Sequence, residues 1–320
     1  MTLRITVVTP SFNQGQFLEQ TVRSVLDQNY ENLEYMIFDG GSTDNSVAII
    51  RRYENRLAFW TSQPDRGQSD AINQGWRRAT GEILGYLNSD DTYAPGTLRL
   101  VAEAFANDPN LGMVYGRCLV IDERGAILRE RRVRAASLAE ILRWSPSIPQ
   151  PTMFVRRNAV KDVGFLNPDL HYTMDYDLSI RVGLKYKMRF LPHVLANMRD
   201  HPAAKTAVAP LKHVEEGLAV ARGFFEQNLP SEIAALKNPT LAAFYLRKAR
   251  ILCRQGDAPQ VRGLIRQACG FCCRAAIVRE SLVVLLMSFL GGSLVDRLRR
   301  FKRTLLKLFS RTPPTRTPPA

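Results

Sequence analysis

Four times within the first 110 residues, a short apolar run gives way to a polar loop and then to a helical pattern. "ITVVTPSF" precedes a helical stretch at 15–28, "LEYMIFDGG" one at 44–53, "LAFWTSQP" one at 69–79 and "EILGYLNSDD" one at 95–107. Alternation of this kind builds a parallel sheet with helices on both faces. Continuous apolar runs such as "ITVV" and "YMIF" suit strands buried on both sides. The expected fold class is therefore α/β, a Rossmann-like, mainly parallel sheet flanked by helices. In open α/β sheets ligands bind beyond the C-terminal ends of the strands. Three of the loops placed there carry acids: Asp39, Asp65 and Asp90.

From "MVYGRCLVID" to about residue 205 the alternation loosens into mixed strands, a turn "SPSIPQP", and "YTMDYDLSIRVG", which opens a helix. Beyond "HPAAKTAVAP" the pattern is helical over 211–228 and 240–275, with "QGDAPQ" as the turn of a hairpin. That hairpin resembles one tetratricopeptide unit, but no second copy follows. The expected organisation is a domain at 1–205, a helical region at 206–276 that forms a C-terminal α-helical appendage, a basic segment at 277–310 and a disordered tail at 311–320.

Charge is confined to one end. Residues 240–320 hold 16 Lys and Arg against Asp257, Glu280 and Asp296, so +13 of the net +14 lies there and the rest of the chain is nearly neutral. The run "SLVVLLMSFLGGSLV" at 281–295 would span about 22 Å as a helix, short of the roughly 30 Å hydrocarbon core. After it, Leu298, Phe301, Leu305 and Leu308 recur at helical spacing while Arg299, Arg300, Arg303 and Lys307 occupy other faces. Such a helix suits an anionic membrane surface. Aromatics are too sparse among these charges for the stacking that single-stranded nucleic-acid binding requires, so no nucleic-acid partner is expected. "MTLRITVVTP" enters a strand without the apolar region of a signal peptide. Five cysteines, three of them in "CGFCC", lack zinc-site spacing. The expectation is a cytoplasmic protein with free thiols, peripheral at the inner face of the membrane.

"YLNSDD" sets Asp90 and Asp91 side by side at a strand end. Like charges this close are relieved when a hard divalent cation lies between them and a phosphate. Asp90 and Asp91 are thus expected to hold Mn²⁺ or Mg²⁺ against a diphosphate.

With "TPSFNQGQFLEQTVRSVLDQNYENLEYMIFDGGSTDNS", "DRGQSDAINQG", "YLNSDD" and "MDYDL" in that order across residues 4–205, the chain resembles glycosyltransferase family 2, whose fold is GT-A. The resemblance implies a metal-dependent, inverting glycosyltransferase that moves a sugar from a nucleotide-sugar donor to a hydroxyl acceptor. That acceptor would be a glycan or lipid-linked sugar, and the setting cell-surface polysaccharide or glycolipid assembly. It places Thr9, Pro10, Ser11 and Asp39 at the base, with a UDP- or dTDP-sugar favoured because a carboxylate accepts from an imide N–H. It places Arg66, Asp70, Asn88 and Ser89 along the nucleotide, Asp90, Asp91 and His201 at the metal, Lys205 near phosphate, and Asp175 as catalytic base.

Asp177 is assigned to structure or acceptor binding. The family's acidic motif has the form Asp-any-Asp, so Asn88 removes one negative charge from the site. His171, His193 and His213 receive no role. A sugar-nucleotide pyrophosphorylase would need a basic phosphate loop after the first strand, and "TPSFNQGQF" has no Lys or Arg. The alternative function is a nucleic-acid- or membrane-binding protein whose basic tail acts and whose GT-A-like scaffold is inactive.

Overall fold

The structure is a computed structural model that describes residues 2–144 and 148–272, with Ser281, Leu282 and Val284. The first half follows the expected alternation. Strands β1 (Ile5–Ser11), β2 (Leu33–Asp39), β3 (Phe59–Ser62) and β4 (Ile83–Tyr86) pair in parallel, in the order β3-β2-β1-β4. Between and after them come α1 (Gly15–Leu26), α2 (Ser46–Tyr53), α3 (Gln68–Arg78), the two-residue β5 (Thr92–Tyr93) and α4 (Thr97–Ala106).

Alternate residues of each strand feed opposite cores, as pleating requires. Val7, Tyr35, Ile37 and Ile83 meet Leu18, Val22, Ile50, Val101 and Phe105 on one face. Val8, Met36, Phe38 and Leu84 meet Ile72, Trp76, Val160 and Leu178 on the other. On that second face α3 approaches the sheet at Gly75, where a Cβ would come 2.5 Å from Val8 Cγ2. Gly75→Ala should therefore cost about 1–3 kcal/mol by overpacking, read as a lower denaturation midpoint at unchanged m-value.

The second half is mixed. It comprises β6 (Leu111–Ile121), β7 (Ile127–Glu130), α5 (Leu138–Leu142), β8 (Phe154–Arg156), α6 (Arg157–Val163), α7 (Met174–Lys185), β9 (Lys187–Arg199), α8 (Lys205–Val208) and α9 (Pro210–Phe225). The sheet continues β4-β8-β6-β9-β5, with β8 antiparallel to both neighbours and β7 paired to β6. One pairing sets the site. The strand β5 that follows Asp91 runs antiparallel to the end of β9, with Thr92 opposite Asn197. The Asp90 corner and the chain after Arg199 are thereby brought together across more than 100 residues.

This first compact unit runs to Asn228, past the boundary expected at 205, because α9 packs on α7. The second unit begins at Leu229 with α10 (Ser231–Ala234), then α11 (Lys237–Gln255) and α12 (Ala258–Phe271). These last two form the expected hairpin, turning at Gly256 in the left-handed region (φ 86). Asp257 caps α12 by accepting from the Gln260 N–H. Among the described residues no helix is long and apolar enough to cross a membrane, and Cys118 and Cys272 are free thiols. Apart from Ser281, Leu282 and Val284, the expected basic segment at 277–310, the tail at 311–320 and Cys273 lie outside the described residues.

Candidate active site

At the C-terminal mouth of the parallel strands, the loops after β1 and β2 are tied to each other. Asn13, in the left-handed region at φ 51, donates its N–H to Ser42 Oγ (2.8 Å) and accepts from the Thr43 N–H at Oδ1 (2.9 Å). Asp44 accepts from the Gly15 and Ser46 N–H groups. Phe12 projects from this mouth, 61% exposed.

The residues expected at the base are mostly engaged internally. Thr9 is buried with its Oγ1 2.9 Å from the Tyr35 hydroxyl, and Pro10 is buried. Ser11 Oγ is buried and has no partner. Asp39 is buried and accepts four hydrogen bonds: Gly41 N–H (3.2 Å), Ser42 N–H (2.8 Å), Ser42 Oγ–H (2.6 Å) and Ser62 Oγ–H (2.7 Å). Three of these bonds fall on Oδ2 and one on Oδ1, so Oδ1 keeps one acceptor direction that the turn does not use. The turn chemistry of "DGGS" claims this acid first.

In the first turn of α3, Asp70 is buried and accepts from the Arg66 N–H, Arg66 Nη2 and Gln74 Nε2. Burial alone would raise its carboxyl, but these donors hold it below the ordinary aspartate value. The Arg66 side chain is 81% exposed. It is free to swing toward a ligand only by leaving Asp70.

Asn88 belongs to a chain of amides. Lys205 Nζ donates to Gln68 Oε1 (2.8 Å), Gln68 Nε2 to Asn88 Oδ1 (2.6 Å), Asn88 Nδ2 to Gln150 Oε1 (3.0 Å), and Gln150 Nε2 to the Tyr86 carbonyl (2.9 Å). An aspartate at 88 has no donor for Gln150, which is a physical reason for the departure from Asp-any-Asp. Ser89 is buried, and Thr21 Oγ1 lies 2.9 Å from its carbonyl and 2.7 Å from that of Asp91.

The two acids of the corner diverge. Asp90 Oδ2 lies 3.1 Å from Nε2 of the buried His201, whose ring packs on Phe17 at 5.0 Å. Asp91 turns inward, buried, and accepts the Arg199 N–H at Oδ1 (2.9 Å). Burial, and then the charge of Asp90, push its carboxyl well above the ordinary value. Among the described residues no three His, Cys, Asp or Glu side chains converge as a metal cage. Of the expected trio, Asp90 and His201 face each other, while β5–β9 pairing turns Asp91 toward the Arg199 backbone.

Repulsion between the two acids is answered from within by Arg199, which sequence reasoning passed over. Its guanidinium donates to the carbonyls of Asp90 (2.8 Å), Asp122 (2.8 Å) and Glu123 (2.9 Å) and to Gln20 Oε1 (2.8 Å), and lies 4.7 Å from the Phe17 ring centre. An arginine closing the apolar strand "VLANMR" was the available signal, since arginine is almost never buried without partners.

Asp175 occupies the first turn of α7, partly buried, with Oδ1 accepting the Tyr176 N–H (2.8 Å). Burial pushes its carboxyl up to about 6, against the opposing effects of that bond and of Arg131. Asp177 is a structural partner instead: it accepts from Arg181 Nη2 and Nε, while Arg181 also donates to the carbonyls of Val163, Gly164 and Phe165. Two side chains link Asp175 to the acidic corner. Arg131 acts on both Asp175 and Asp91, and the buried Tyr86 hydroxyl, which has no hydrogen-bond partner among the described residues, feels the charges of the same two acids. Beside α7, Trp144 stacks on Tyr176 (5.5 Å) and meets His213 edge-on (4.6 Å).

The family model described as "Glycosyl transferase family 2" matches residues 6–164. Two Mycobacterium tuberculosis proteins described as uncharacterized glycosyltransferases are 31% identical over 182 residues, covering 56% of this chain and 69% of theirs. The chain belongs to glycosyltransferase family 2. Poly-beta-1,6-N-acetyl-D-glucosamine synthase of Staphylococcus aureus is 27% identical over 199 residues, 59% of this chain, which spans 48% of the synthase.

Solved structures show the same fold at low identity. S. aureus TarS 1-349 in complex with UDP-GlcNAc aligns with TM-score 0.63 and 15% identity over 93% of this chain and 92% of that one. A Pyrobaculum calidifontis mannosyltransferase in complex with GDP-Man and Mn²⁺ aligns with TM-score 0.57 and 18% identity over 91% and 87%. The GT-A-type α/β architecture of this family 2 glycosyltransferase is therefore as expected. The family match ends before Asp175, His201 and Glu216, so what those residues do is argued from their own geometry.

Proposed function

We propose that this enzyme transfers a sugar from a nucleotide-sugar donor to a hydroxyl acceptor with inversion at the anomeric carbon, Asp175 acting as base. The observation that carries this reading is the partly buried Asp175 carboxyl in the first turn of α7, raised to about 6 by burial, with Arg131 acting on it and on Asp91 alike. A base tuned near the working pH suits proton removal. Asp175 takes the proton of the acceptor hydroxyl as its oxygen attacks, and a single displacement with the base opposite the leaving group inverts configuration.

Asp90 and His201 form a donor set of one carboxylate and one imidazole. This fits a divalent ion that completes its shell with diphosphate oxygens and water. These two residues would hold Mn²⁺ or Mg²⁺, which when bound supplies charge stabilisation for the departing diphosphate. Exposed Phe12 offers a stacking face to a base at the strand mouth. A uridine or thymidine donor remains favoured, with Asp39 shaping the pocket through its serines. Likeness to the S. aureus synthase supports a role in surface polysaccharide assembly, and the basic amphipathic segment would hold the enzyme at an anionic membrane.

The test is thermal melting with UDP, dTDP and GDP, each with Mn²⁺ and with EDTA, beside nucleoside diphosphate release from the corresponding sugars. A diphosphate at 100 times its Kd stabilises by about 2.7 kcal/mol. UDP or dTDP with Mn²⁺ should raise the melting temperature by several degrees, and EDTA should remove most of the rise. A chain that no diphosphate stabilises, and that releases none from any donor, is not this enzyme.

A further inference from the structure

The N-terminus of α7 is closed by a residue 43 positions beyond Thr173. Glu216, on α9, accepts the N–H groups of His171 (2.8 Å), Tyr172 (2.7 Å) and Thr173 (2.7 Å), and the Thr173 hydroxyl (2.9 Å). Thr173 is the residue that precedes α7, and its side chain makes no cap of its own. Three consecutive backbone donors just ahead of α7 converge on one carboxylate, which sets a negative charge near the positive end of the helix. Charge-assisted bonds of this length are the strong class. Burial alone would raise the Glu216 carboxyl, but these donors hold it below its ordinary value. It therefore stays ionised throughout the neutral range.

We propose that Glu216 is the positioning residue of this site: it locks residues 171–173 in place and so fixes where the first turn of α7 presents Asp175. The inference rests on Asp175 being the base. It makes α9, which lies beyond the family-matched segment, part of the catalytic apparatus. Asp175 is two residues past the clamped backbone, so a shift of the clamp moves the carboxylate directly. Misplacement of a reacting group by about 1 Å costs up to roughly 100-fold in rate.

The charged groups that act on Asp175 are Glu216 from α9 and Arg131 from the segment after β7, while the Tyr86 hydroxyl on β4 feels the Asp175 charge in turn. Of these Glu216 raises the carboxyl and Arg131 lowers it. Removing the negative charge at 216 must therefore move the acid limb of the rate profile to lower pH.

The experiment uses the full chain and the donor with the fastest turnover in a panel of UDP-, dTDP- and GDP-sugars. Glu216→Gln should lower kcat by roughly 10- to 100-fold, leave the donor KM within a few-fold, and shift the acid limb downward. Glu216→Asp, which keeps the charge but shortens the reach, should lower kcat while leaving the limb in place. Thr173→Val, which deletes one of four bonds, should give a smaller loss than either.

If Glu216→Gln does not fold, the aspartate and valine variants decide: kcat within twofold of wild type in both would overturn the proposal. A folded Glu216→Gln with wild-type kcat and an unmoved limb would overturn it too, reducing the clamp to a structural cap. Should the wild-type chain release no diphosphate from any donor, the functional reading fails first and this inference with it.

Discussion

Asp175→Asn is expected to lower kcat by about 10²- to 10⁴-fold, the usual worth of a positioned base, with nucleotide binding left intact. Asparagine keeps the shape and can still accept the Tyr176 N–H, but it cannot take a proton. In the wild type the sign of the pH dependence follows from the raised carboxyl. Asp175 works only when ionised, so kcat should climb about tenfold per pH unit below about 6 and level off above it. Stability moves the other way. Ionising a group whose folded-state pKa exceeds its unfolded value weakens the fold as pH rises through that window. Asp175→Asn should therefore melt no lower than wild type at pH 8. The decisive measurement is kcat against pH for both proteins at saturating donor. A variant within a few-fold of wild type, or a wild-type profile flat from pH 5 to 8, would assign the proton transfer elsewhere.

Whatever is periodic in this chain could be read before it folded. Helices predicted at 15–28, 44–53, 69–79 and 95–107 form at Gly15–Leu26, Ser46–Tyr53, Gln68–Arg78 and Thr97–Ala106. In each, local amphipathicity and the tertiary burial agree. Side-chain direction at loop ends was not legible. Asp90 and Asp91 are equivalent in a string of letters, yet β5 pairs with a strand more than 100 residues on and turns one acid outward and the other in.

Asp39 shows a different effect, in which serine hydroxyls and turn amides from its own neighbourhood converge mainly on Oδ2 and fix the carboxylate's orientation. For Glu216 the helix was readable, but the surface it caps lies on another element. No local pattern marks that pairing.

Arg199 supplies the second large effect, and it distinguishes a corner built by the fold from one completed only by a ligand. Its guanidinium makes four hydrogen bonds, three of them to carbonyls of the two loops that frame Asp90, and its charge faces both Asp90 and Asp91. Arg199→Ala leaves those carbonyls without donors and removes the positive charge that opposes the rise of the Asp91 carboxyl. Each buried acceptor left unsatisfied typically costs about 1–3 kcal/mol.

Lysine should not rescue it, because three donors on a flexible stem cannot replace a planar fork that reaches four acceptors at once. Arg117→Ala, which breaks an exposed pair with Glu130, is the matched control and should leave the urea midpoint near wild type. If the corner owed its order to a bound cation instead, Arg199→Ala would unfold at nearly the wild-type midpoint without metal, and added Mn²⁺ would stabilise both proteins alike. The fold described here requires the opposite: a large loss in EDTA, and a variant in which UDP with Mn²⁺ no longer raises the melting temperature because Asp90 has lost the backbone that aims it.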